Sequence, residues 1–350
     1  MRRTFLSLGL GLAIGCLILA TALCVFSLAS PGWLRGLIIG EPLPLPVPIS
    51  LTSPAPMENP KRATPTPIPL PTVEGGCGGP EQMTIALLGV DDRSADYSQP
   101  TRTDAISLIS VRFADKTASM LSFPRDLYVP LPNLENVGIS QERLNTAWLY
   151  GEVYEVPGGG AAELKDTIAL NFGIRVDRFV LVNFGAFEAS VDALGGIDVD
   201  VPKQIYDSAY PADDGSGGTI VFQLDPGLQH MDGVTALRYA RTRHQDDDYH
   251  RIQRQQQVLL AIRDKLLSPR VIPQLPALIS ALGALARTDL SAQEIAALAC
   301  VGPQIDRSAI TVHAIDGTMV IPWTTPTGGS VSIPNRDAIA PIVTEFLGGR

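Results

Sequence analysis

Apolar and polar positions divide the chain into three parts. Phe5 to Ala29 is an almost uninterrupted apolar run. Roughly 25 residues at ~1.5 Å each reach ~37 Å, enough to cross a bilayer with some tilt. Arg2 and Arg3 precede the run and only Arg35 follows soon after, which predicts a cytoplasmic N-terminus. Ser27-Leu28-Ala29 would pass as a signal-peptide cleavage site. The apolar core, however, is longer than the ~7–15 residues of such peptides, so a retained anchor over residues 1–35 is expected. Residues 36–80 form a linker, with proline at every second position from Pro42 to Pro48 and recurring to Pro71. Proline at this density blocks helix and sheet and favours an extended, semi-rigid spacer.

From residue 81 to 350 the pattern alternates between short apolar runs and helical stripes, enough chain for one large domain. Met83 to Val90, Ala105 to Arg112, Thr117 to Phe123, Arg178 to Asn183, Ile197 to Val201 and Ala309 to Ile315 read as strands. Asp198 and Asp200 alternate outward in the fifth of these. Helices are predicted over Arg143–Tyr150, Ala161–Phe172, Phe184–Leu194 and Val234–Tyr239, the last capped by Asp232. A long helix runs from Tyr249 or His250 to Leu267, with Val258, Leu259, Ile262 and Leu266 as its core stripe. Ser268 to Ala286 is a further apolar helical region broken by Pro273 and Pro276. Ser291 caps another helix to about Cys300, and Asp337 to Leu347 closes the chain. Asp207 to Gly218 reads as an exposed loop and Asp225 to Gly233 as a turn. Interleaved strands and helices predict an α/β sandwich with a mixed sheet.

Charge narrows the partners. The net charge is -9 and no basic block stands out, which argues against nucleic acid. No CxxC or Cys/His cluster suggests zinc, and neither a P-loop nor a Gly-x-Ser-x-Gly elbow is present. Cys77 and Cys300 lie outside the anchor, where an oxidising setting permits either a disulfide or two separate thiols.

One stretch departs from the acidic background. Ala236 to Gln257 carries Arg238, Arg241, Arg243, Arg251 and Arg254. Guanidinium groups are planar forks that match phosphate oxygens. Arg241 and Arg243 lie two apart and face the same way if extended; Arg251 and Gln255 share a helix face. This suits a polyphosphate. It also suits a solvated helix whose arginines pair with Asp246 to Asp248. Near the start of the domain, Asp91 and Asp104 sit at neighbouring strand ends with Arg93 and Arg102 between them. They read as a Mg²⁺ and phosphate mouth, or as ordinary turn-forming aspartates. Pro124 stops the third strand and exposes Arg125, which alone reads equally as a surface pair with Asp126.

Four ordered blocks carry a resemblance. They are Leu87-Leu88-Gly89-Val90-Asp91-Asp92-Arg93 with Arg102-Thr103-Asp104; Ser122-Phe123-Pro124-Arg125-Asp126-Leu127-Tyr128-Val129; Val191-Asp192-Ala193-Leu194-Gly195-Gly196-Ile197; and Tyr239-Ala240-Arg241-Thr242-Arg243 with Asp248-Tyr249-His250-Arg251-Ile252-Gln253-Arg254-Gln255-Gln256. Together, over residues 84 to 267, the chain resembles the LytR-CpsA-Psr family of cell-envelope proteins. The resemblance implies a three-layer α/β sandwich, a mixed central sheet flanked by helices, with a lipid-holding cavity. It implies transfer of a glycopolymer from a polyprenyl-pyrophosphate carrier to peptidoglycan, at the outer face of the cell membrane. Asp91 and Asp104 would hold Mg²⁺. Arg93, Arg102, Arg125, Arg241, Arg243, Arg251 and Gln255 would meet the pyrophosphate, Arg125 and Arg243 acting also in catalysis. Asp248 would activate the attacking hydroxyl or orient an arginine. His250 stands where the family commonly has glycine, a departure that bears on the local backbone. A polyprenyl-pyrophosphate hydrolase and a non-catalytic envelope regulator remain the rival readings.

Overall fold

The computed structural model describes residues 77–348, apart from 93–96, 98, 213–216, 244–247 and 269–285. The expected anchor and linker, Arg93, His244, Asp246, Asp247 and most of the Ser268–Ala286 helical region therefore lie outside the described residues. Among the described residues, no helix is long and apolar enough to cross a membrane.

The elements, in chain order, are β1 (Gln82–Val90), β2 (Thr103–Arg112), β3 (Thr117–Phe123), β4 (Tyr128–Pro130), β5 (Gln141–Arg143), α1 (Thr146–Val153), α2 (Gly159–Phe172), β6 (Arg178–Asn183) and α3 (Phe184–Ala193). They continue with β7 (Ile197–Val201), β8 (Ile205–Pro211), β9 (Thr219–Leu224), β10 (Gly227–Met231), α4 (Gly233–Arg241) and α5 (Asp248–Leu266). The chain closes with β11 (Ala286–Thr288), α6 (Ala292–Val301), β12 (Ile310–Ala314), β13 (Val320–Thr324), β14 (Ser330–Pro334) and α7 (Arg336–Leu347).

The central sheet has six strands in the order β11-β6-β1-β2-β3-β12. It is mixed: β1 runs parallel to β6 and β3 parallel to β12, while β2 is antiparallel to both its neighbours. Period-two alternation builds both faces. Met83, Ile85 and Leu87 point into one core, which includes the α5 stripe Val258, Ile262 and Leu266. Ala86, Leu88 and Val90 point into the other, closed by Trp148 of α1, Leu164 of α2 and Phe346 of α7. The expected sheet with helices on both faces is present. Cys77 and Cys300 form a disulfide, with alpha carbons 5.5 Å apart, tying the start of the domain to α6.

Several local readings are corrected. Asp207 to Gly218 is not a plain loop: β8 and β9 form a hairpin, with a register shift between Asp207 and Tyr210. That shift lets both residues turn inward, so a carboxylate is buried that a polar stretch would be expected to expose. The turn from Asp225 to Gly233 contains β10, which pairs with β7 in a separate two-stranded ladder. The helix expected from Arg143 starts at Thr146, because Arg143 belongs to β5 opposite Tyr128. Arg241 sits in the last turn of α4, not in an extended segment, and the chain turns extended at Thr242. The β13–β14 hairpin has no counterpart among the expected strands.

Candidate functional site

The C-terminal ends of β1, β3 and β6 and the first residues of β2 share one edge of the sheet. Val90 pairs with Thr103, so Asp91 and Asp104 leave neighbouring strand ends. Crevices outside the carboxyl ends of strands are the usual place for ligands in α/β sheets. Beyond β3, Pro124 breaks the ladder and the backbone is stitched down by Asn145. Asn145 N–H donates to the Arg125 carbonyl at 3.0 Å, and the Asn145 carbonyl accepts from Thr103 N–H at 3.1 Å. The side chain of Asn145 then donates to Asp104 Oδ1 at 3.1 Å, while Arg125 Nη1 donates to Asp104 Oδ2 at 2.9 Å. Both oxygens of Asp104 are thus oriented. Asp91 is more open and lies 3.6 Å from Arg241.

The arginine segment is positioned by two helices. Asp232 caps α4 by accepting from Thr235 N–H at 2.8 Å. At its other end the carbonyls left over by the helix are taken by α5. Arg254 Nε donates to the Tyr239 carbonyl at 3.0 Å and Arg254 Nη2 to the Thr242 carbonyl. Gln255 donates to the Ala240 carbonyl at 3.3 Å. Thr242 hydroxyl donates to the buried Asp207 carboxylate at 2.6 Å. Arg241 donates to Tyr210 Oη at 3.1 Å and lies 4.1 Å over the Phe184 ring.

In the first turn of α5, Arg251 is 5% exposed and pairs with Asp248 at 2.8 Å. Among the described residues, its Nε is buried without a hydrogen-bond partner. Burial holds the Arg251 guanidinium below its ordinary pKa; Asp248 opposes this, and Arg125 and Arg243 reinforce it. A buried donor next to like charges is the condition that an anion would relieve. Asp126 is raised above the ordinary carboxylate value, first by burial and then by the charge of Asp248.

Two cavities meet here. One, of about 330 Å³, runs between the sheet and α3, α4 and α5; its walls include Leu87, Val182, Phe187, Leu237, Val258 and Leu259. The other, of about 690 Å³, is polar and open, with Arg102, Asp126, Arg143, Asn145, Asp248 and Ser330 in its wall. Asp104, Arg125 and Arg243 line both. Asp91, Arg241, Arg251 and Gln255 line the first, Arg102 and Asp248 the second. Of the expected site residues only Arg93, outside the described residues, is not placed. His250 is exposed and lines neither cavity. Asn145, Arg143 and Asp126 are additions that sequence reasoning did not single out for the site. No local signal marks Asn145, whose place comes from its pairing with β2.

The donor set bears on a metal. Among the described residues no group of three His, Cys, Asp or Glu side chains clusters as a metal site. Two carboxylates, Asp91 and Asp104, line the apolar cavity at its polar end. Mg²⁺ commonly takes one or two carboxylates and completes its shell with water and substrate phosphates, so this pair fits it and fits zinc poorly.

Known proteins share the fold and much of the sequence. The chain is 33% identical over 218 residues to the polyisoprenyl-teichoic acid–peptidoglycan teichoic acid transferase TagT of Bacillus subtilis (strain 168), covering 62% of each chain. It is 34% identical over 188 residues to TagV of the same organism, described by the same activity, covering 53% of this chain and 44% of TagV. The chain therefore spans less than two thirds of these relatives. The crystal structure of B. subtilis TagV superposes with a TM-score of 0.59 at 25% identity, over 76% of this chain and 97% of that one. A structure of TagT bound to LI-WTA gives 0.58 at 28% identity, over 77% and 90%. The LytR_cpsA_psr family model matches residues 63–342, and the chain belongs to that family.

Proposed function

We propose that the protein transfers a glycopolymer, as a phosphoryl-linked unit, from a polyprenyl-pyrophosphate carrier to peptidoglycan. The observation that carries this reading is the junction of an apolar and a polar cavity at Asp104, Arg125 and Arg243. A lipid pyrophosphate has the same division: an isoprenoid tail, a doubly charged centre and a hydrated glycan. The tail fits against Phe187, Leu237, Val258 and Leu259. The pyrophosphate meets Arg125, Arg241, Arg243 and the buried Arg251, whose Nε, without a hydrogen-bond partner among the described residues, is a donor in waiting. The transferase descriptions of TagT and TagV support the same reading.

The reaction is a displacement at the phosphorus that bears the glycan. An acceptor hydroxyl oxygen forms the new P–O bond. The bond to the lipid phosphate oxygen breaks, and polyprenyl monophosphate leaves with that electron pair. The hydroxyl proton passes to a carboxylate, a role we assign to Asp248, which lines the polar cavity and is held by Arg251. Arg125, Arg241, Arg243 and Arg251 offset the charge that develops on the phosphoryl oxygens. Asp91 and Asp104 are the residues that would hold Mg²⁺, which when bound supplies Lewis-acid polarisation of those oxygens.

The apolar run Phe5–Ala29 and the proline spacer support anchoring in the cell membrane, domain outside, where the lipid carrier and the wall both lie. Protease added to spheroplasts should then remove the domain, and full protection would contradict this topology. The activity itself is tested with the full chain in detergent, a glycan-labelled polyprenyl-pyrophosphate donor and peptidoglycan. Label should pass to peptidoglycan as polyprenyl monophosphate is released. Release of free glycan phosphate at the same rate with and without acceptor would make the protein a hydrolase, and label left on the lipid would overturn both.

A further inference from the structure

Beside the polar cavity, which its Ser330 lines, stands the β13–β14 hairpin, an element that the transfer chemistry above does not use. Trp323 on β13 is 42% exposed, and Ile321, two residues earlier on the same strand face, is 58% exposed. Large apolar side chains are usually buried, so a pair on one strand face is informative. The Trp323 ring packs against Tyr128, with ring centroids 5.6 Å apart. The hairpin carrying it is fastened to the cavity lip. Ser332 N–H donates to the Asp126 carbonyl at 3.1 Å, and Arg143 donates to the Ser330 carbonyl at 3.1 Å. Trp323 pairs with Val331, the residue between those two anchors. Tyr128 in turn pairs with Arg143, which lines the cavity.

The direction of attack says what a hairpin at this lip meets. In phosphoryl transfer the attacking and leaving oxygens lie roughly in line. The leaving oxygen belongs to the lipid phosphate, on the apolar side of Asp104, Arg125 and Arg243. The acceptor hydroxyl must therefore come through the polar cavity, past Arg102 and Arg143. A pyranose strand has apolar C–H faces and polar edges. A half-exposed tryptophan braced by a tyrosine offers a rigid surface for the faces, and the guanidinium groups offer donors for hydroxyl, amide and carboxylate groups on the edges.

We propose that the β13–β14 hairpin, with Trp323 braced by Tyr128, is the platform that binds the acceptor glycan strand and delivers its hydroxyl past Arg143 to the phosphoryl centre. This rests on the transferase reading given above.

The test uses the full chain in detergent, the labelled lipid donor and uncross-linked peptidoglycan glycan strands as acceptor. Trp323→Ala should raise the acceptor KM about tenfold, in keeping with loss of one aromatic stacking contact, with no matching rise in donor KM. Trp323→Phe, which keeps a ring, should restore most of the loss. Glycan strands without donor should shift the tryptophan fluorescence of the wild type and not of Trp323→Ala. An equal rise in both KM values would place donor sugars on the platform and overturn the proposal. So would an unchanged acceptor KM with lost binding to phosphatidylglycerol vesicles, which would make the hairpin a membrane contact. If the wild type shows no turnover, the transferase reading fails. The fluorescence shift then still decides the platform: its presence supports glycan binding and its absence ends it.

Discussion

Arg125 donates to Asp104 across 2.9 Å at the wall common to both cavities, while Asn145 takes the other carboxylate oxygen. Both partners are partly open to solvent, and pairs of this kind contribute only ~0–1 kcal/mol to stability. The arrangement makes better sense as preorganisation: Asp104 is aimed, and Arg125 is parked where a phosphate would draw it. Asp104→Ala and Asp91→Ala should therefore abolish Mg²⁺-dependent turnover with little change in melting temperature. Residual activity that still rises with Mg²⁺ in either variant would show that these carboxylates do not hold the metal.

Arg254 acts on the site through the C-terminal end of α4. Its buried guanidinium serves the carbonyls of Tyr239 and Thr242, on either side of Arg241 and just before Arg243. Arg254→Met preserves length and burial and leaves those carbonyls unserved. The loss should cost ~1.5–3 kcal/mol of stability, as for other hydrogen bonds from charged groups. Donor KM should rise further than in a control variant of equal stability, because two phosphate-binding arginines lose their fixed geometry. Equal KM in the two variants would reduce Arg254 to a purely structural role.

The Cys77–Cys300 bond closes a loop of 223 residues. In the chain-entropy model a loop of that length restricts the unfolded chain by roughly 5 kcal/mol. The Cys77→Ser/Cys300→Ser variant should accordingly melt well below the wild type, with its activity at low temperature intact. Wild type treated with reductant should melt alongside it. Coincident melting with and without reductant would show that the bond is absent in solution.

Much of this site was legible because its residue types are conspicuous where they stand. Five arginines between Ala236 and Gln257 in an acidic protein need an anion or many partners, and Asp91 and Asp104 fall at strand ends that apolar alternation marks clearly. Asn145 and Asp207 were not legible. Each is defined by a partner far along the chain, Asp104 for one and Thr242 for the other. The β8–β9 hairpin was hidden for a local reason: a bulge between Asp207 and Tyr210 breaks the alternation that would have announced it. In the β13–β14 hairpin, β13 is exposed at four of its five positions and has almost no buried face to leave a pattern.

Glu163 on α2 offers a test of the fold apart from the site. Its side chain is fully buried, and one carboxylate oxygen has no hydrogen-bond partner among the described residues. Burial raises its pKa, with hydrogen bonds from Asn133 opposing and the charge of Asp166 adding. A raised folded-state value means that the folded protein binds more protons than the unfolded chain between the ordinary carboxylate value and the raised one. Stability must fall as pH rises through that window and then stay low. Glu163→Gln cannot titrate. Urea melts across the acid-to-neutral range should show the variant gaining on the wild type as pH rises, and then keeping a constant margin. A margin that does not vary with pH would contradict the raised pKa.

Asp248 is the residue whose role the geometry sharpens most. Both its oxygens face the same Arg251 nitrogen, at 2.8 and 3.0 Å, and it lines only the polar cavity, on the acceptor side. A group that merely held Arg251 would act on the pyrophosphate, and its loss would appear in donor binding. A group that takes the hydroxyl proton acts on the attacking oxygen, and its loss would appear in turnover. Asp248→Asn keeps the shape and one acceptor oxygen for Arg251 while removing the basic site. It should lower kcat about 100-fold or more, within the range of a general base, with donor KM changed much less. Arg251→Lys should do the reverse, since a point charge cannot reproduce the fork that meets both Asp248 and a phosphate. If Asp248→Asn instead raises donor KM and leaves kcat near the wild type, Asp248 is a positioning residue and the proton must go to another carboxylate of the same cavity wall, of which Asp126 is the nearest in kind.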